Sequence, residues 1–281
     1  MAQSADFRGR YGPWALVAGA SEGIGAEFAR GLARRGLDLV LLARRREPLE
    51  KIAQELRKSA GAQVRALALD LAAPDLLERL RPEIAGLEIG LLVYNAAYSV
   101  VGPFFERELA LRLREIDVNC RGPLLLCHEL GRAMVARRRG GIVIVSSLAG
   151  FFGSALVPSY AASKAFDTVL GESLWAELRP HGVDVLSFVA GATRTPSFEG
   201  SRPRPASNPF ARPMEAGPVA EQALRELGRG PTRVAGARNR LAAFVTTRLF
   251  SRRRAVLTIS RATREMYAEG AAAAAPGSGP R

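Results

Sequence analysis

The chain has 281 residues, a formal net charge of +13 and a 48% hydrophobic share, enough apolar material for a large core and too much for a disordered chain. No apolar run approaches the ~18 to 20 residues that cross a bilayer, and the short apolar run at 14–18 lacks signal-peptide flanks, which argues against polytopic membrane and Sec-secreted proteins. Only Lys51, Lys58 and Lys164 are lysines, so the charge reads as an arginine-rich composition rather than as a nucleic-acid footprint.

Residues 14–18 form a short apolar run ending in glycines, and 25–35 follow with helical spacing through Phe28 and Leu32. Residues 37–43 are almost continuously apolar, as expected of a parallel strand covered on both faces, and 47–60 return to helical spacing. The alternation continues with strands at 63–70 and 89–95 around a helix at 75–84, which Asp75 opens. A long helical stretch at 109–138 carries Gly122-Pro123, which predicts a bend near its middle. Strands at 141–147 and 183–190 flank a helix at 159–178. Strands alternating with helices predict a single α/β domain, a Rossmann-like doubly wound parallel sheet of about seven strands with helices on both faces.

Residues 1–11 then form an N-terminal extension and 12–238 the domain, whose seventh strand falls at 232–237. Inside it, 194–213 is rich in Pro, Ser and Arg, without periodicity, and reads as a loop or lid over the substrate. A basic, partly apolar segment occupies 239–268, and the Ala/Gly/Pro run at 269–281 reads as a disordered tail. Two cysteines, Cys120 and Cys127, and two histidines make neither a disulfide framework nor a metal cluster. A cytoplasmic place fits this usage.

Three motifs carry chemistry. Gly19-Ala20-Ser21-Glu22-Gly23-Ile24-Gly25 joins the first strand to the first helix of the domain, where glycines let backbone amides approach a pyrophosphate at the positive end of a helix. Arg44 and Arg45 end the second strand, where a carboxylate would select a ribose hydroxyl. A guanidinium there suits a 2′-phosphate, so NADP(H) is expected in preference to NAD(H), with Arg44 ahead of Arg45 and Glu22 acting against them; the bland alternative is a solvated arginine run. Tyr160 and Lys164 are four apart on a helix, so phenol and ammonium share a face, and the ammonium favours the phenolate. Alone, that pair arises by chance in many helices.

It stands with Ser147 at the end of the fifth strand, Asn119 in the long helix, Asn95-Ala96-Ala97 after the fourth strand and Asp70-Leu71 after the third. In order and spacing these elements resemble the short-chain dehydrogenase/reductase family, over about residues 12 to 237. The resemblance implies reduction of a ketone or aldehyde, or the reverse oxidation of an alcohol. Tyr160 would donate a proton to the substrate oxygen as the nicotinamide gives hydride to carbon, and Ser147 would hydrogen-bond that oxygen. Lys164 would hold the nicotinamide ribose and tune Tyr160, and Asn119 would retain a water that links Lys164 to solvent. Asp70 would contact the adenine and Asn95 the adenosine ribose region. Ser21, Ile24, Leu71, Ala96, Thr193 and Thr195 complete the expected cofactor contacts.

Two departures from the family pattern fall beside the cofactor: Ala97 replaces a glycine, and Ala190-Gly191 replaces Pro-Gly. Phe151, Phe152, Leu156, Val157, Phe198 and Phe210 would give an apolar pocket for a lipophilic small-molecule substrate, and the pattern looks more like members that reduce 3-oxoacyl thioesters or steroid ketones. The resemblance also implies a homodimer or homotetramer. The segment 229–264 holds ten arginines and no acid, so it alone carries +10 of the +13. Its Leu241, Phe244, Val245, Leu249 and Phe250 would dock it on the domain or seat it peripherally on an anionic membrane, with docking the favoured reading.

Overall fold

The computed structural model describes residues 2–201, 203 and 212–267. In chain order its elements are α1 (Ala2–Tyr11), β1 (Trp14–Ala18), α2 (Gly23–Arg34), β2 (Asp38–Ala43), α3 (Arg46–Ala60), β3 (Val64–Ala68), α4 (Leu76–Ile84), β4 (Ile89–Tyr94) and α5 (Leu109–Ile116). A π-helical turn, Asp117–Arg121, leads into α6 (Gly122–Ala136), followed by β5 (Gly140–Ser147), α7 (Pro158–Leu178) and β6 (Val183–Ala190). Then come β7 (Thr193–Arg194), α8 (Pro196–Gly200), β8 (Met214–Glu215), α9 (Ala216–Glu226), β9 (Thr232–Val234), α10 (Ala237–Arg248) and α11 (Arg252–Tyr267).

Seven strands form one parallel sheet in the order β3-β2-β1-β4-β5-β6-β9. Successive side chains of a strand point to opposite faces, and both faces here are apolar. Val17, Leu41, Val93 and Val145 pack on one side with Phe28 and Leu32 of α2, Leu49 of α3 and Val219 of α9. Leu16, Leu42, Leu92 and Ile144 pack on the other with Leu76 and Leu80 of α4 and Leu126 and Leu130 of α6. The chain winds outward from β1 to β3 and then returns to lay β4 on the other side of β1. The carboxyl ends of β1 and β4, Ala18 and Tyr94, are register partners, so Gly19 and Asn95 leave the sheet side by side at its switch point, where open α/β sheets bind ligands.

The helix expected over 109–138 is broken earlier than the sequence implies. The interruption is the π turn at Asp117–Arg121, in which the Gly122 N–H reaches the Asp117 carbonyl five residues back. Pro123 has no N–H to offer the Asn119 carbonyl four residues before it, so the regular ladder is broken at that residue. Asp75 stands at the N-terminal boundary of α4 as expected, without a side-chain capping bond.

The N-terminal extension is helical, and Tyr11 at its end is buried and donates to Asp184 at 2.6 Å. The basic segment beyond 236 folds into α10 and α11 and docks on the domain, but not through the residues expected to dock it. Asn239, Ala243, Ala255 and Ser260 are buried, and of the five residues expected to dock it Val245 and Phe250 are half-buried while Leu241, Phe244 and Leu249 are exposed. The Ala155 N–H donates to Ser260 Oγ, and the hydroxyls of Ser154 and Thr263 lie 2.7 Å apart. The tail expected at 269–281 and, within the loop at 194–213, residues 202 and 204–211 with Phe210 among them lie outside the described residues.

Candidate active site

The glycine loop is a close-packed junction. A methyl group on Gly25 would lie 1.9 Å from the Gly19 carbonyl oxygen, and one on Gly23, whose φ is +56°, would lie 2.7 Å from Thr195 Cγ2. No side chain fits at either position. Asn95 donates from Nδ2 to the Gly19 carbonyl at 3.1 Å, so in this arrangement its amide braces the loop. Ala96 lies against Gly19, Ser21 and Ile24 are half-buried, and Leu71 is a core residue that offers the site its backbone alone. Thr195 accepts from the Phe198 N–H at 3.1 Å, and Thr193 donates to the Gly191 carbonyl at 3.0 Å.

At the end of β2, Arg44 is exposed, its guanidinium carbon 5.9 Å from the centre of the Tyr98 ring. Arg45 is instead ion-paired with Glu22, the counter-effect expected of that carboxylate. Asp70 accepts from the Ala72 N–H at 3.1 Å and from Arg114 at 2.6 Å. Burial works against its charge, but the Ala72 amide, Arg114 and nearby Arg44 outweigh it and hold the carboxyl below its usual value. Arg114 also lies over the Tyr98 ring, at 5.8 Å. Sequence reasoning missed Arg114 and Tyr98, because nothing in the spacing brings α5 to the β3 end.

Ser147 ends β5 opposite Ala190 in register, and its Oγ accepts from the Ala149 N–H at 3.2 Å. One lone pair is thereby engaged, and the hydroxyl proton remains available to a carbonyl oxygen. Tyr160 lies in the first turn of α7, with Lys164 Nζ 5.9 Å from its ring centre. Lys164 is only 2% exposed and donates to the Val145 carbonyl at 2.9 Å and to Asp167 Oδ2 at 2.8 Å. Burial disfavours its charge, but Asp167 and Tyr160 prevail and keep it an ammonium above its ordinary pKa. Two of its three donors are used, and the third is left for a ribose hydroxyl. Asn119 is fully buried in the π turn. Its Oδ1 accepts from the Tyr98 N–H at 2.8 Å, and its Nδ2 donates to the Tyr98 carbonyl at 2.8 Å and to Ser163 Oγ at 2.9 Å.

A buried ionic cluster supports these groups from behind. Glu115 accepts from the Val100 N–H at 2.9 Å and from Ser159 Oγ, while Arg112 donates to the Val100 and Gly102 carbonyls at 2.8 and 3.1 Å. The segment 98–102 is thus tied to the residue that precedes Tyr160. Asp167, Arg112 and Glu115 were not singled out in the sequence, where charges within a helix read as solvated. From the other side α11 brings Tyr267 to the site: it is hydrogen-bonded to Ser201, and burial together with the neighbouring Tyr160 raises its pKa. Among the expected pocket residues Phe152 and Val157 are buried, and Arg252 covers the Phe152 ring at 5.2 Å. They are core rather than exposed wall, while Phe151, Leu156 and Phe198 are half-buried.

Residues 13–206 match the family model for short chain dehydrogenases. The chain belongs to the short-chain dehydrogenase family. It is 33% identical over 237 residues to a 7beta-hydroxysteroid dehydrogenase of Clostridium sardiniense, covering 84% of this chain and 90% of that protein. It is 38% identical over 182 residues to a very-long-chain 3-oxoacyl-CoA reductase of Podospora anserina, covering 63% of this chain and 54% of that longer protein. A solved 7beta-hydroxysteroid dehydrogenase superposes with a TM-score of 0.84 at 27% identity, over 90% of this chain and 98% of that one. A short-chain dehydrogenase from Sphingobium yanoikuyae, solved with NADPH, gives 0.75 at 31% identity, over 84% of this chain and 94% of that one. This short-chain dehydrogenase is therefore an oxidoreductase of the CH–OH and ketone class with a Rossmann-type sheet, and its family uses a nicotinamide cofactor.

Proposed function

We propose that this protein is an NADPH-dependent reductase of a lipophilic ketone, of the size class of a steroid or a long-chain 3-oxoacyl thioester, and that it runs reversibly as an alcohol dehydrogenase. One observation supports the reading: Ser147, with its proton available, ends β5, and Lys164, whose ammonium lies by the Tyr160 ring, donates to the Val145 carbonyl of that same strand. The side-chain-free cradle at Gly19, Gly23 and Gly25 fits a dinucleotide pyrophosphate, and the spare donor of buried Lys164 fits its nicotinamide ribose. When bound, the nicotinamide supplies or accepts the hydride.

The remaining steps belong to the protein's own groups. Ser147 donates to the carbonyl oxygen and stabilises its developing charge, and Tyr160 delivers the proton that neutralises it. Lys164 holds the ribose with the donor that Val145 and Asp167 leave free. The Asn119 carbonyl, which Pro123 cannot engage, is suited to retaining a water between Lys164 and solvent. Arg44 is the candidate for the 2′-phosphate; Arg45 is already paired with Glu22.

The size class rests on the steroid and acyl-CoA names of the relatives. A homodimer is supported by an uncharged exposed stripe of Leu109, Leu113, Ile116 and Leu124 along α5 and α6.

NADPH consumption over a panel of steroid ketones, 3-oxoacyl thioesters and aromatic ketones tests the reading. Turnover is expected with at least one class and a fall of about 10² to 10⁴-fold in Tyr160→Phe with cofactor binding retained. Binding of NADPH without turnover on any class overturns it.

A further inference from the structure

The described surface carries a second exposed apolar region, of opposite electrical character to the uncharged stripe on α5 and α6. Leu241 and Phe244 on α10, Leu249 after it, and Leu257 on α11 are 53%, 57%, 65% and 58% exposed. Residues 237–267, which contain them, hold eight arginines and a single acid, Glu265.

Helical spacing orients this face outward. On α10, Asn239 and Ala243 are buried, and Leu241, Phe244 and Arg248, at intervals of three and four, lie on the opposite side of the helix. On α11, Ala255 and Ser260 are buried, and Leu257 lies on the opposite side with Arg254 three before it and Arg261 four after it. Apolar and cationic side chains therefore share one outer surface instead of separating onto two.

That mixture selects the occupant. A second copy of the same face would set Arg248, Arg254 and Arg261 against their own copies with only Glu265, four after Arg261, to offset them. A nucleic acid would pair the arginines and leave the Leu and Phe side chains in water. An anionic bilayer satisfies both sets at once: Leu and Phe enter the boundary of the acyl chains while arginine heads rise to the headgroup phosphates. No helix among the described residues is long and apolar enough to cross a membrane, so the contact is peripheral.

We propose that the outer face of α10 and α11 docks this protein on an anionic lipid surface, with Leu241, Phe244, Leu249 and Leu257 inserted at the interface. The same two helices end at Tyr267 beside Tyr160, so the docked face borders the site at which a membrane-dissolved ketone would react. The docking does not rest on the reductase reading, since it is read out without turnover.

The test is cosedimentation of the full chain with vesicles of phosphatidylcholine alone or with about a third phosphatidylglycerol. Retention is expected on the anionic vesicles only, weakening with salt, and falling at least about tenfold in both Leu241→Asp/Phe244→Asp and Arg248→Gln/Arg261→Gln. The melting temperature and NADPH affinity of both variants should match the parent. The proposal fails if the parent stays in the supernatant with anionic vesicles. It fails equally if Leu241→Asp/Phe244→Asp leaves retention intact while duplex DNA competes for it, which would mark a nucleic-acid surface. A fall in particle mass by light scattering in that variant would show that a second copy covers the face, and would also overturn it.

Discussion

Lys164 Nζ and Asp167 Oδ2 are 2.8 Å apart, three residues from one another on α7 and almost wholly out of contact with water. The second carboxylate oxygen of Asp167 is buried without a partner among the described residues, so this ion pair is held by Lys164 from one side only. Burial pushes the Asp167 carboxyl above its usual range even beside the ammonium. Around it stand Tyr160 on its own helix, Tyr94 of β4, Cys120 of the π turn and Cys127 of α6; its charge raises the pKa of the last three, after burial. Among the groups that favour the Lys164 ammonium against burial, Asp167 is foremost, ahead of Tyr160.

Asp167→Asn should therefore move the alkaline limb of ketone reduction. The Lys164 pKa is held up against burial chiefly by Asp167, so the ammonium persists until pH rises through that raised value. With a neutral amide the hydrogen bond is kept and the counter-charge lost, and the limb should move to lower pH. Asp167→Glu should restore part of it. A pH profile of kcat/KM that keeps its alkaline limb in Asp167→Asn would assign Asp167 to packing alone.

Arg44→Ala should raise KM for NADPH by about tenfold or more and leave KM for NADH nearly unchanged, because only NADPH carries the phosphate that a guanidinium bonds. Arg45→Ala should do much less, since Glu22 already neutralises that side chain. Initial rates with the two cofactors check both, and equal losses for NADH and NADPH would remove Arg44 from the 2′-phosphate.

Leu113→Asp should split the proposed dimer. Leu113 is 55% exposed in the middle of the α5 stripe, and a charge desolvated at the core of an isologous contact costs enough to dissociate it. Size-exclusion chromatography with light scattering should show a monomer whose melting temperature falls with the loss of its partner. An unchanged mass would exclude this face.

The order of elements was legible because its signals are local. Near-continuous apolar runs of five to eight residues, too short for helices and set between helical stretches, read as strands covered on both faces, and β1 and β6 occur at the expected bounds. The positions of Ser147 at the end of β5 and of Tyr160 and Lys164 in the first turns of α7 were equally legible, since the parallel topology dictates where those elements lie. The π turn was not, because Gly-Pro announces a break without saying on which side of it the ladder changes pitch.

What the sequence determined by itself was the alternation of strand and helix, and with it the family, the sheet and the edge of the sheet at which chemistry occurs. The tertiary structure alone decided which charges are buried. Asp167, Arg112 and Glu115 look like ordinary helical surface residues until α7 and α5 turn them inward, where the loss of water makes each depend on a partner. It also decided the fate of the basic segment. Small residues pack where two helices approach closely, so Asn239, Ala243, Ala255 and Ser260 took the docking surface, and the arginines remained outside with the Leu and Phe side chains between them.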